Sequence, residues 1–595
     1  MRSLQSRELI GWGILVIALG ATYWTSFNQP FHYDDVHSIV ENPHIRSTGN
    51  IIDFFLRPEL FSADEKNAMY RPLVLVTYAV NYAISEYRVW SYHLFNLLVH
   101  LLNTVLVYAL IREKAGRNAG AFWGAFIFAL HPIFSEPVNY ISSRSESLCA
   151  LFFLSSFLAY IKVGPQGSRL WAWRTISLLA FVAALLTKSV GIVLPLVLLL
   201  YDSLLAPRSI KSYGLKEIVE RHGPYWAVAL AYFIGMSQFV ATALVESPVR
   251  SLKVQLLTQV KALCYYAKLM WVPHGLNVEH QFALGETLAS GSVLAALFFL
   301  LSAGAMLVWK GGHWRWGAFW CLWALSILLP TLVVPLNVMV NEHRLYLPAV
   351  AFAVLLGHVL GQWTERKKRV GVIIGVIWLA LYALLAYQRT QIWRDEETLW
   401  SDARAKAPFM PRPHLYLGDH YKRSGDPARA LEEYYRSLSI YPRALSPSDR
   451  LVAYNNIGAT YLAMGRNPDA IAAYEKALAI DSTYAKSRDS LQALLALEAD
   501  KQDPQAVGWR KQGLVFLTLN RVQEAVVLFQ QSLQRQINPE TYRALALAYE
   551  RLENWQSALQ AYESLKAVSE EDSGFRTSAV EKIRTLRQKL QQNAD

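Results

Sequence analysis

The chain has 595 residues, of which 53% are hydrophobic, and a formal net charge of +12. This length indicates more than one domain. Apolar residues form long runs as far as Tyr387, whereas acidic and basic side chains nearly balance beyond Arg389. Most of the positive excess therefore lies in the apolar part, which favours membrane topology and anionic lipid over nucleic acid as its explanation.

The 3 cysteines, Cys149, Cys264 and Cys321, fall in apolar stretches without the spacing of metal ligands. Buried free cysteines commonly behave as small apolar side chains. The sequence therefore predicts neither a disulfide nor a cysteine metal site.

Apolar runs long enough to cross a bilayer recur from the N-terminus to residue 388. At about 20 residues a crossing, they predict about eleven transmembrane helices. The runs lie near residues 9–27, 92–111, 119–135, 146–162, 171–187, 190–205, 223–243, 291–310, 316–333, 345–362 and 370–388. We expect the first run to be a retained span, because no small-x-small cleavage site precedes Asn28.

Basic residues recur in alternate loops, for example at Arg112, Arg315 and 366–369. By the positive-inside rule, these loops and the N-terminus are cytoplasmic and the C-terminal domain is extracytoplasmic. Loops 28–90 and 244–290 are then expected outside. The moderately apolar stretch 256–271 is expected to lie in the interface or to re-enter, since it carries two lysines.

Beyond Tyr387 the pattern changes to amphipathic helices with an internal repeat. The same offsets relate Gly418, Tyr421, Ala430, Tyr434 and Leu438 to Gly458, Tyr461, Ala470, Tyr474 and Leu478, to Gly513, Phe516, Ala525, Phe529 and Leu533, and to Ala546, Tyr549, Ala558 and Tyr562. This pattern resembles the tetratricopeptide repeat, in which a small residue lets paired helices touch and aromatic rings fill the gap. Extra residues near 443–449 and 484–504 predict insertions or an additional helix. Such arrays form a superhelix whose concave surface usually binds peptide; a purely structural cap is the alternative.

Two adjacent carboxylates, Asp34 and Asp35, follow the first span beside His32 and Tyr33. A loop acid pair can simply be solvated or cap a helix. Its position at the mouth of a span favours function, because a carboxylate near a membrane-embedded substrate can take a hydroxyl proton as that oxygen attacks. The pair could also help to bind a divalent metal, but no other carboxylate cluster has ligand spacing.

Further polar side chains fall at the ends of the predicted spans, on the side that the loop charges place outside. They are Arg71, His131, Glu136, Arg144, Glu146, Lys188, Glu342, His343, Arg344 and Tyr346. Ionisable groups at membrane depth are costly and tend to mark a substrate path, although each one singly could be a snorkelling or paired residue. Cations facing an acid pair suit a phosphate-linked substrate, because arginine offers phosphate a planar fork and lysine a point charge.

These residues stand in motifs that occur in the same order in a known family. The motifs are His32-Tyr33-Asp34-Asp35, Tyr70-Arg71-Pro72-Leu73, His131-Pro132 with Glu136, Arg144 and Glu146 downstream, and Glu342-His343-Arg344-Leu345-Tyr346-Leu347-Pro348. With the C-terminal repeats, the chain resembles the transmembrane and tetratricopeptide-repeat protein O-mannosyltransferases and their bacterial relatives, in the GT-C glycosyltransferase superfamily. The likeness covers almost the entire chain. One departure is Lys188-Ser189, where relatives often carry Lys-Glu.

The resemblance implies an all-α, polytopic GT-C membrane domain over residues 1–390 and an extracytoplasmic repeat domain over 391–595. It implies transfer of a monosaccharide from a polyprenyl-phosphate donor to a Ser or Thr hydroxyl of a protein acceptor, with inversion. Asp34 is the expected general base and Asp35 its neighbour or substitute. Arg71, Lys188, His343 and Arg344 are the expected donor-phosphate contacts, and the other polar residues named above support them. No cofactor is required, because the donor carries its own phosphate leaving group; a divalent metal stays an alternative.

Other functions also fit the sequence. An oligosaccharide ligase of the O-antigen type can carry helical repeats, but such enzymes use a late outer loop and lack an acid pair after the first span. A non-catalytic scaffold would use the repeats to recruit partners and the spans as an anchor. Transfer of the sugar to a lipid is a third alternative. The short N-terminus and the lack of long insertions favour a bacterial inner membrane with the repeats in the periplasm.

Overall fold

The computed structural model describes residues 2–63, 68–115, 118–162, 170–206, 210, 213–241, 249–309, 314–441, 445–500, 503–569 and 573–592. Within these ranges the chain is built from helices and contains no β-strand, which confirms the all-α class. The chain divides into two compact units, Met1–Pro413 and His414–Asp595. The first unit thus extends beyond the boundary at residue 390 that the sequence indicates. Residues 64–67 and 242–248 of the two predicted outer loops lie outside the described residues.

The first unit contains a helix at each predicted apolar run, and further helices between and after these runs. They are α1 Arg2–Tyr23, α2 Ile51–Leu56, α3 Pro72–Ser85, α4 Trp90–Ala115, α5 Asn118–Leu130, α6 Ser135–Asn139, α7 Arg144–Ile161, α8 Leu170–Thr187, α9 Leu194–Leu204, α10 Leu215–Ala241, α11 Leu252–Trp271, α12 Gly291–Trp309, α13 Trp314–Val333, α14 Ala349–Arg366, α15 Lys368–Ile392 and α16 Glu396–Lys406. The predicted helical character of these runs is confirmed.

Several of these helices are long and apolar enough to cross a membrane. By length and composition 5 stretches of the described residues qualify: Glu8–Asn28, Trp90–Glu113, Ile141–Ile161, Arg315–Val333 and Arg369–Ile392. A sixth is counted if the bent pair Gly120–Leu130 and Pro132–Asn139 forms one span, and four shorter apolar helices accompany them. A multipass membrane protein is supported, while the number of about eleven spans stays a prediction.

Prolines shape the ends of the helices that carry the predicted motifs. Helix α5 ends at His131-Pro132, and the segment that follows is bent by 46°, because proline cannot continue the hydrogen-bond ladder of a helix. Helix α3 begins with Pro72 in its first turn, directly after the non-helical Arg71, where the missing N–H costs nothing. Both motifs therefore lie at helix ends, where side chains leave the helix wall.

Helices α5 and α14 approach backbone to backbone. A Cβ atom added to Gly357 would lie 2.7 Å from the backbone of Gly124, and one added to Gly120 would lie 3.3 Å from the carbonyl oxygen of Gly357. Small residues allow such approach between helices that lack a hydrophobic driving force in lipid. This contact holds α14, and with it the His343-Arg344 turn before α14, against the bundle.

The segment between α1 and α3 folds into short helical turns around a small apolar core of its own. Ile39, Ile45, Phe54 and Phe61 are buried there with Tyr78 of α3. Burial of such side chains stabilises each by about 1.5–3 kcal/mol. The segment after the first span is therefore a packed layer that can hold Asp34 in place.

The second unit consists of paired helices. With the helix that leads into it, these are α17 Pro411–Arg423, α18 Pro427–Ser439, α19 Pro447–Ala463, α20 Asn467–Ile480, α21 Ala485–Asp500, α22 Pro504–Thr518, α23 Val522–Arg535, α24 Pro539–Arg551, α25 Trp555–Val568 and α26 Gly574–Gln592. Helix α21 accounts for the extra residues near 484–504, as predicted; residues 442–444 in the other insertion lie outside the described residues.

The repeated glycines and aromatic residues contact each other as predicted. A Cβ atom on Gly418 would lie 2.5 Å from the ring of Tyr434, and one on Gly458 would lie 2.8 Å from the ring of Tyr474. Both rings are buried. Only a residue without a side chain leaves room for the ring of the partner helix at these positions, which explains the recurring offset.

Candidate active site

Three cavities of the first unit contain most of the predicted site residues. The acid cavity, of about 390 Å³, is lined mainly by Tyr33, Asp34, Met69, Glu136, Tyr140, Glu279, Asn337, Asn341, His343, Arg344, Trp393, Trp400 and Arg412. The basic cavity, of about 280 Å³, is lined mainly by Arg71, Glu146, Cys149, Lys188, Ser189, Ile327, Leu328, Pro330, Thr331, Val334, His343 and Arg344.

A third, smaller cavity lies beside both of these. This linking cavity, of about 120 Å³, is lined mainly by Asp34, His37, Met69, Arg71, Tyr140, Ser142, Ser145, Glu146, Lys188 and His343. His343 lines all three cavities. The predicted acid and the predicted cations are therefore brought together around one histidine.

Hydrogen bonds from the segment after α1 place the acid pair. Gln29 donates through Nε2 to the carbonyl of Thr390 at 2.7 Å, and His32 Nε2 lies 2.7 Å from the carbonyl oxygen of Trp393. The segment is thus tied to the C-terminal end of α15. The backbone N–H of Asp34 donates to the hydroxyl of Tyr140 at 3.1 Å, which ties the acid to the segment between α6 and α7.

Tyr33, directly before the acid pair, has a φ of 54°. A residue with a side chain seldom adopts this left-handed conformation, and it persists only where surrounding contacts impose it. Here the Tyr33 hydroxyl is hydrogen-bonded to Arg412, and its ring packs 5.8 Å from that of Trp400. The backbone turn that presents Asp34 is therefore held by groups from distant parts of the unit.

The two carboxylates of the pair are in different environments. The Asp34 side chain is 45% exposed, and its Oδ1 lies 3.6 Å from His37 Nε2. Asp35 is buried and accepts hydrogen bonds from the backbone N–H of His32 at 3.0 Å and from that of Ser142 at 2.8 Å. Asp34 lines the acid and linking cavities, whereas Asp35 joins two segments of backbone.

Their pKa values move in opposite directions. Burial raises the pKa of Asp35 to about 7, in spite of the hydrogen bonds from Ser142 and His32. Burial also acts to raise the pKa of Asp34, but the hydrogen bond and charge of His37, with the Tyr140 hydroxyl, lower it below the ordinary value. Asp34 is accordingly the carboxylate that is ionised at neutral pH and reaches a cavity.

The basic cavity combines cations with an apolar wall. Lys188 forms an ion pair with Glu146, and Arg71 donates to Ser145 at 3.3 Å. Arg344 donates to the carbonyls of Val338 at 2.8 Å and of Met339. Among the described residues, neither arginine forms an ion pair with a carboxylate.

His343 connects two buried acids. Its Nδ1 lies 2.8 Å from Glu136 Oε1, and its Nε2 lies 3.7 Å from Glu146 Oε1. Burial lowers the pKa of His343 to about 3, so the imidazole is neutral, and one hydrogen bond joins its Nδ1 to the carboxyl of Glu136. His343 contacts both acids, and Glu146 in turn pairs with Lys188.

Arg144 lies away from the cavities, although its motif neighbours reach them. It is fully buried and donates to Asn96 Oδ1 at 2.7 Å, Asn81 Oδ1 at 2.6 Å and the carbonyl of Tyr92 at 3.0 Å. Its guanidinium also stacks 4.4 Å from the ring centroid of Phe95. Arg144 joins α3, α4 and α7 and supports the site from behind.

Three other predicted residues also have structural partners. His131 accepts from the backbone N–H of Ile133 through Nδ1 and lies 3.0 Å from the carbonyl of Met270 through Nε2. Glu342 contacts His280 at 3.1 Å, and the Tyr346 hydroxyl lies 2.7 Å from His100 Nδ1. None of the three lines the three cavities described above.

Several lining residues were not predicted from the sequence. Tyr140, Trp393 and Trp400 form an aromatic wall of the acid cavity, with Tyr140 and Trp393 stacked at 5.7 Å. Arg412 stands on α17, where the repeat pattern begins, and its Nη1 lies 4.0 Å from Glu279 Oε2. In the sequence, the aromatic residues near 393–400 are the signal that could have indicated a site at this part of the chain.

Metal ligation requires several donors close together. In the part of the chain that the structure describes, no group of 3 or more His, Cys, Asp or Glu side chains is arranged to hold a metal ion. The cations of the basic cavity are the groups suited to bind a phosphate.

Comparison with known proteins gives family matches in both units of the chain. Residues 58–248 match the family model described as dolichyl-phosphate-mannose-protein mannosyltransferase. Residues 410–483 and 541–574 match tetratricopeptide-repeat models, which confirms the predicted repeats.

The curated relatives that match this chain are named protein O-mannosyl-transferases. Protein O-mannosyl-transferase TMTC3 of Mus musculus is 25% identical over 511 residues, which cover 78% of this chain and 54% of the relative. Protein O-mannosyl-transferase TMTC2 of Homo sapiens is 32% identical over 192 residues, 31% of this chain and 23% of the relative. The chain thus spans about half the length, or less, of these two relatives. The family resemblance predicted from the motifs is confirmed.

A solved structure also matches over most of the chain. The crystal structure of ArnT from Cupriavidus metallidurans bound to undecaprenyl phosphate gives a TM-score of 0.40 at 13% identity, covering 78% of this chain and 80% of that chain.

Proposed function

We propose, on the premise that this chain resembles the protein O-mannosyl-transferases, that it is an integral membrane glycosyltransferase of the GT-C type. It transfers a monosaccharide from a polyprenyl-phosphate donor to Ser or Thr hydroxyls of extracytoplasmic proteins. Asp34 is the general base. The observation that carries the proposal is the meeting of Asp34 with Arg71 and Lys188 in the linking cavity.

The basic cavity has the two chemical properties that a polyprenyl phosphate needs. Arg71, Lys188 and Arg344 provide positive charge at one side, and charge-assisted hydrogen bonds to phosphate oxygens are among the stronger polar contacts in proteins. Ile327, Leu328 and Val334 form an apolar side on and after α13, where a hydrocarbon chain loses contact with water. A cavity with both properties suits a lipid that carries one phosphate.

The proposed reaction uses Asp34 together with the cations that line the same cavity. Asp34 accepts the proton of the acceptor hydroxyl while that oxygen forms a bond to the anomeric carbon. The bond between this carbon and the phosphate oxygen breaks, and its electron pair leaves on the phosphate. Arg71, Lys188 and Arg344 stabilise the negative charge that develops there. Attack from the side opposite the phosphate inverts the anomeric carbon.

The acid cavity is the proposed entrance for the acceptor. Its aromatic wall of Tyr140, Trp393 and Trp400 offers apolar area beside polar groups, which is the usual composition of a site for an extended ligand. The repeat unit has the architecture of a peptide-binding array, and we assign to it the recruitment of the acceptor protein. The N-terminus is then cytoplasmic and the repeats extracytoplasmic, in a bacterial inner membrane.

The test measures sugar transfer by the purified full-length protein in lipid nanodiscs. Polyprenyl-monophosphate mannose is offered with extracytoplasmic proteins from the source cells, and mass spectrometry detects added hexose on Ser or Thr. Wild-type transfer that is lost in Asp34→Asn supports the proposal. Transfer only from a diphosphate-linked glycan would instead identify an O-antigen-ligase-type enzyme, and no transfer from either donor would leave a scaffold.

A further inference from the structure

Glu136 lines the acid cavity and carries a buried carboxyl oxygen without a hydrogen-bond partner among the described residues. The residue is 3% exposed and lines this cavity. Its Oε1 lies 2.8 Å from His343 Nδ1, whereas Oε2 is buried and has no hydrogen-bond partner among the described residues. A buried unsatisfied polar atom costs about 1–3 kcal/mol, so such a position invites a ligand that supplies a donor.

The location of Glu136 narrows the choice of ligand. Glu136 contacts His343, and His343 borders the basic, linking and acid cavities. In the proposed reaction the donor phosphate lies in the basic cavity, and Asp34 faces the acceptor oxygen. The group that must lie between the phosphate and Asp34 is the sugar ring, which carries hydroxyl donors on its edge.

The chemistry of Glu136 also suits a hydroxyl. A carboxyl group accepts a hydrogen bond from a hydroxyl, and it donates one when it is protonated. His343 occupies Oε1 and so leaves Oε2 in a defined position. A site built to bond one hydroxyl strongly disfavours a ligand that lacks the hydroxyl or directs it elsewhere, because the buried oxygen then stays unpaired.

We propose that Glu136, positioned by His343, forms a hydrogen bond with a hydroxyl of the transferred sugar and determines which sugar epimer is used. This inference rests on the proposed glycosyltransferase function. It assigns to Glu136 a contact with substrate and to His343 a positioning role.

The test measures transfer by the full-length protein with polyprenyl-phosphate mannose, glucose and galactose, and expresses preference as the ratio of kcat/KM between the best and the next sugar. Glu136→Gln, in which one oxygen acceptor is replaced by a donor, is expected to lower this ratio at least about tenfold. Glu279→Gln, a second carboxylate of the same cavity that faces Arg412, is expected to keep the ratio. Glu136→Asp, which moves the carboxylate back by one methylene, is a second variant for the case in which Glu136→Gln does not fold. Its sugar ratio is also expected to fall.

The outcomes separate this inference from the function on which it rests. Wild-type transfer with an unchanged sugar ratio in both Glu136 variants overturns the sugar contact and leaves the glycosyltransferase intact. The same result, with only a lower thermal stability, identifies Glu136 as a structural group, for example one bridged by water to the buried Arg389, whose Nε and Nη2 also lack partners. An inactive wild type overturns both proposals.

Discussion

The carboxylates of Asp34 and Asp35 are adjacent in the sequence but differ in their surroundings: that of Asp34 lines two cavities, and that of Asp35 is buried against the backbone of Ser142 at 2.8 Å. The left-handed backbone of Tyr33 precedes both. One carboxylate of the pair thus lines cavities and the other holds backbone, and substitutions at the two positions should have different effects.

Asp34→Asn should abolish transfer without loss of donor binding. A general base contributes typically about 10²–10⁴-fold to the rate, so kcat is expected to fall at least about a hundredfold. The donor-phosphate cations are untouched, and the dissociation constant of a non-transferable donor analogue should stay within about twofold of wild type. Full transfer activity in this variant would remove Asp34 from the mechanism.

Asp35 should make stability depend on pH. Its folded pKa is about 7, above the ordinary value of 3.8, so between these pH values the folded state binds more protons than the unfolded state, and stability falls as pH rises through this window. The loss amounts to at most about 4 kcal/mol, at about 1.36 kcal/mol for each pH unit. Asp35→Asn should therefore show a smaller drop in Tm between pH 5 and pH 8 than wild type, by scanning fluorimetry in detergent.

Asp34→Asn is the matched control for this experiment. The pKa of Asp34 is lowered, so its ionised form contributes stability above the unfolded pKa, and that contribution is lost as pH falls through the folded pKa. Between pH 5 and pH 8 Asp34 is ionised in both the folded and the unfolded state, so Asp34→Asn should keep the wild-type drop in Tm, whereas Asp35→Asn should reduce it. Identical profiles for both would contradict the assigned environments.

Arg71→Gln should raise the dissociation constant of the donor. Hydrogen bonds to charged groups contribute about 1.5–3 kcal/mol each, which corresponds to about 10- to 100-fold in the dissociation constant of the donor. Arg315→Gln is the control, because it removes the same charge outside the three cavities. The Arg315 guanidinium donates a hydrogen bond to the carbonyl of Ser203. Equal donor affinities in the two variants, measured by isothermal titration in nanodiscs, would exclude Arg71 from the phosphate site.

Arg144→Met should destabilise the membrane unit. The change leaves the buried side-chain oxygens of Asn96 and Asn81 and the carbonyl of Tyr92 without their donor, at about 1–3 kcal/mol for each unsatisfied group. We expect a sharply reduced yield of monodisperse protein and a lower Tm. Arg174→Met is the control, because the guanidinium of Arg174 lies 6.0 Å from the ring of the exposed Trp171. A Tm within about 2 °C of wild type would mean that these polar groups find other partners.

The sequence predicted a cluster of ionisable residues, and the packing determines which members of the cluster line a cavity and which are buried against other helices. Arg71, Lys188 and His343 stand at helix ends and line the linking cavity together, in agreement with the expectation that ionisable groups at span ends converge. Arg144 carries the same signal, a charge at a span end, but asparagines from α3 and α4 surround it. No pattern in one segment predicts which other helix will cover it.

Arg412 and the span count illustrate two further limits of the sequence. Arg412 lies in the first turns of a helix that continues into the repeats, with no apolar run to mark it as part of the cavity wall. Helices such as α3 and α9 are apolar but shorter than the about 20 residues of a straight crossing, so composition alone does not decide whether they span. Both questions depend on tertiary contacts between segments far apart in the chain.

Two glycines of one repeat helix provide a paired test of the second unit. On α22, a Cβ atom added to Gly513 would lie 2.7 Å from the ring of Phe529, whereas one added to Gly508 meets nothing within 4 Å. Gly513→Ala should destabilise this repeat by about 1–3 kcal/mol through overpacking, and Gly508→Ala should stabilise it by about 0.5–1 kcal/mol through lower backbone entropy of the unfolded chain. Hydrogen exchange of α22 and α23 in the full-length protein measures both, since local opening is read without assuming two-state unfolding. Protection that changes in the same direction in both variants would contradict the predicted contact, because a contact-specific effect must have opposite signs at the two positions.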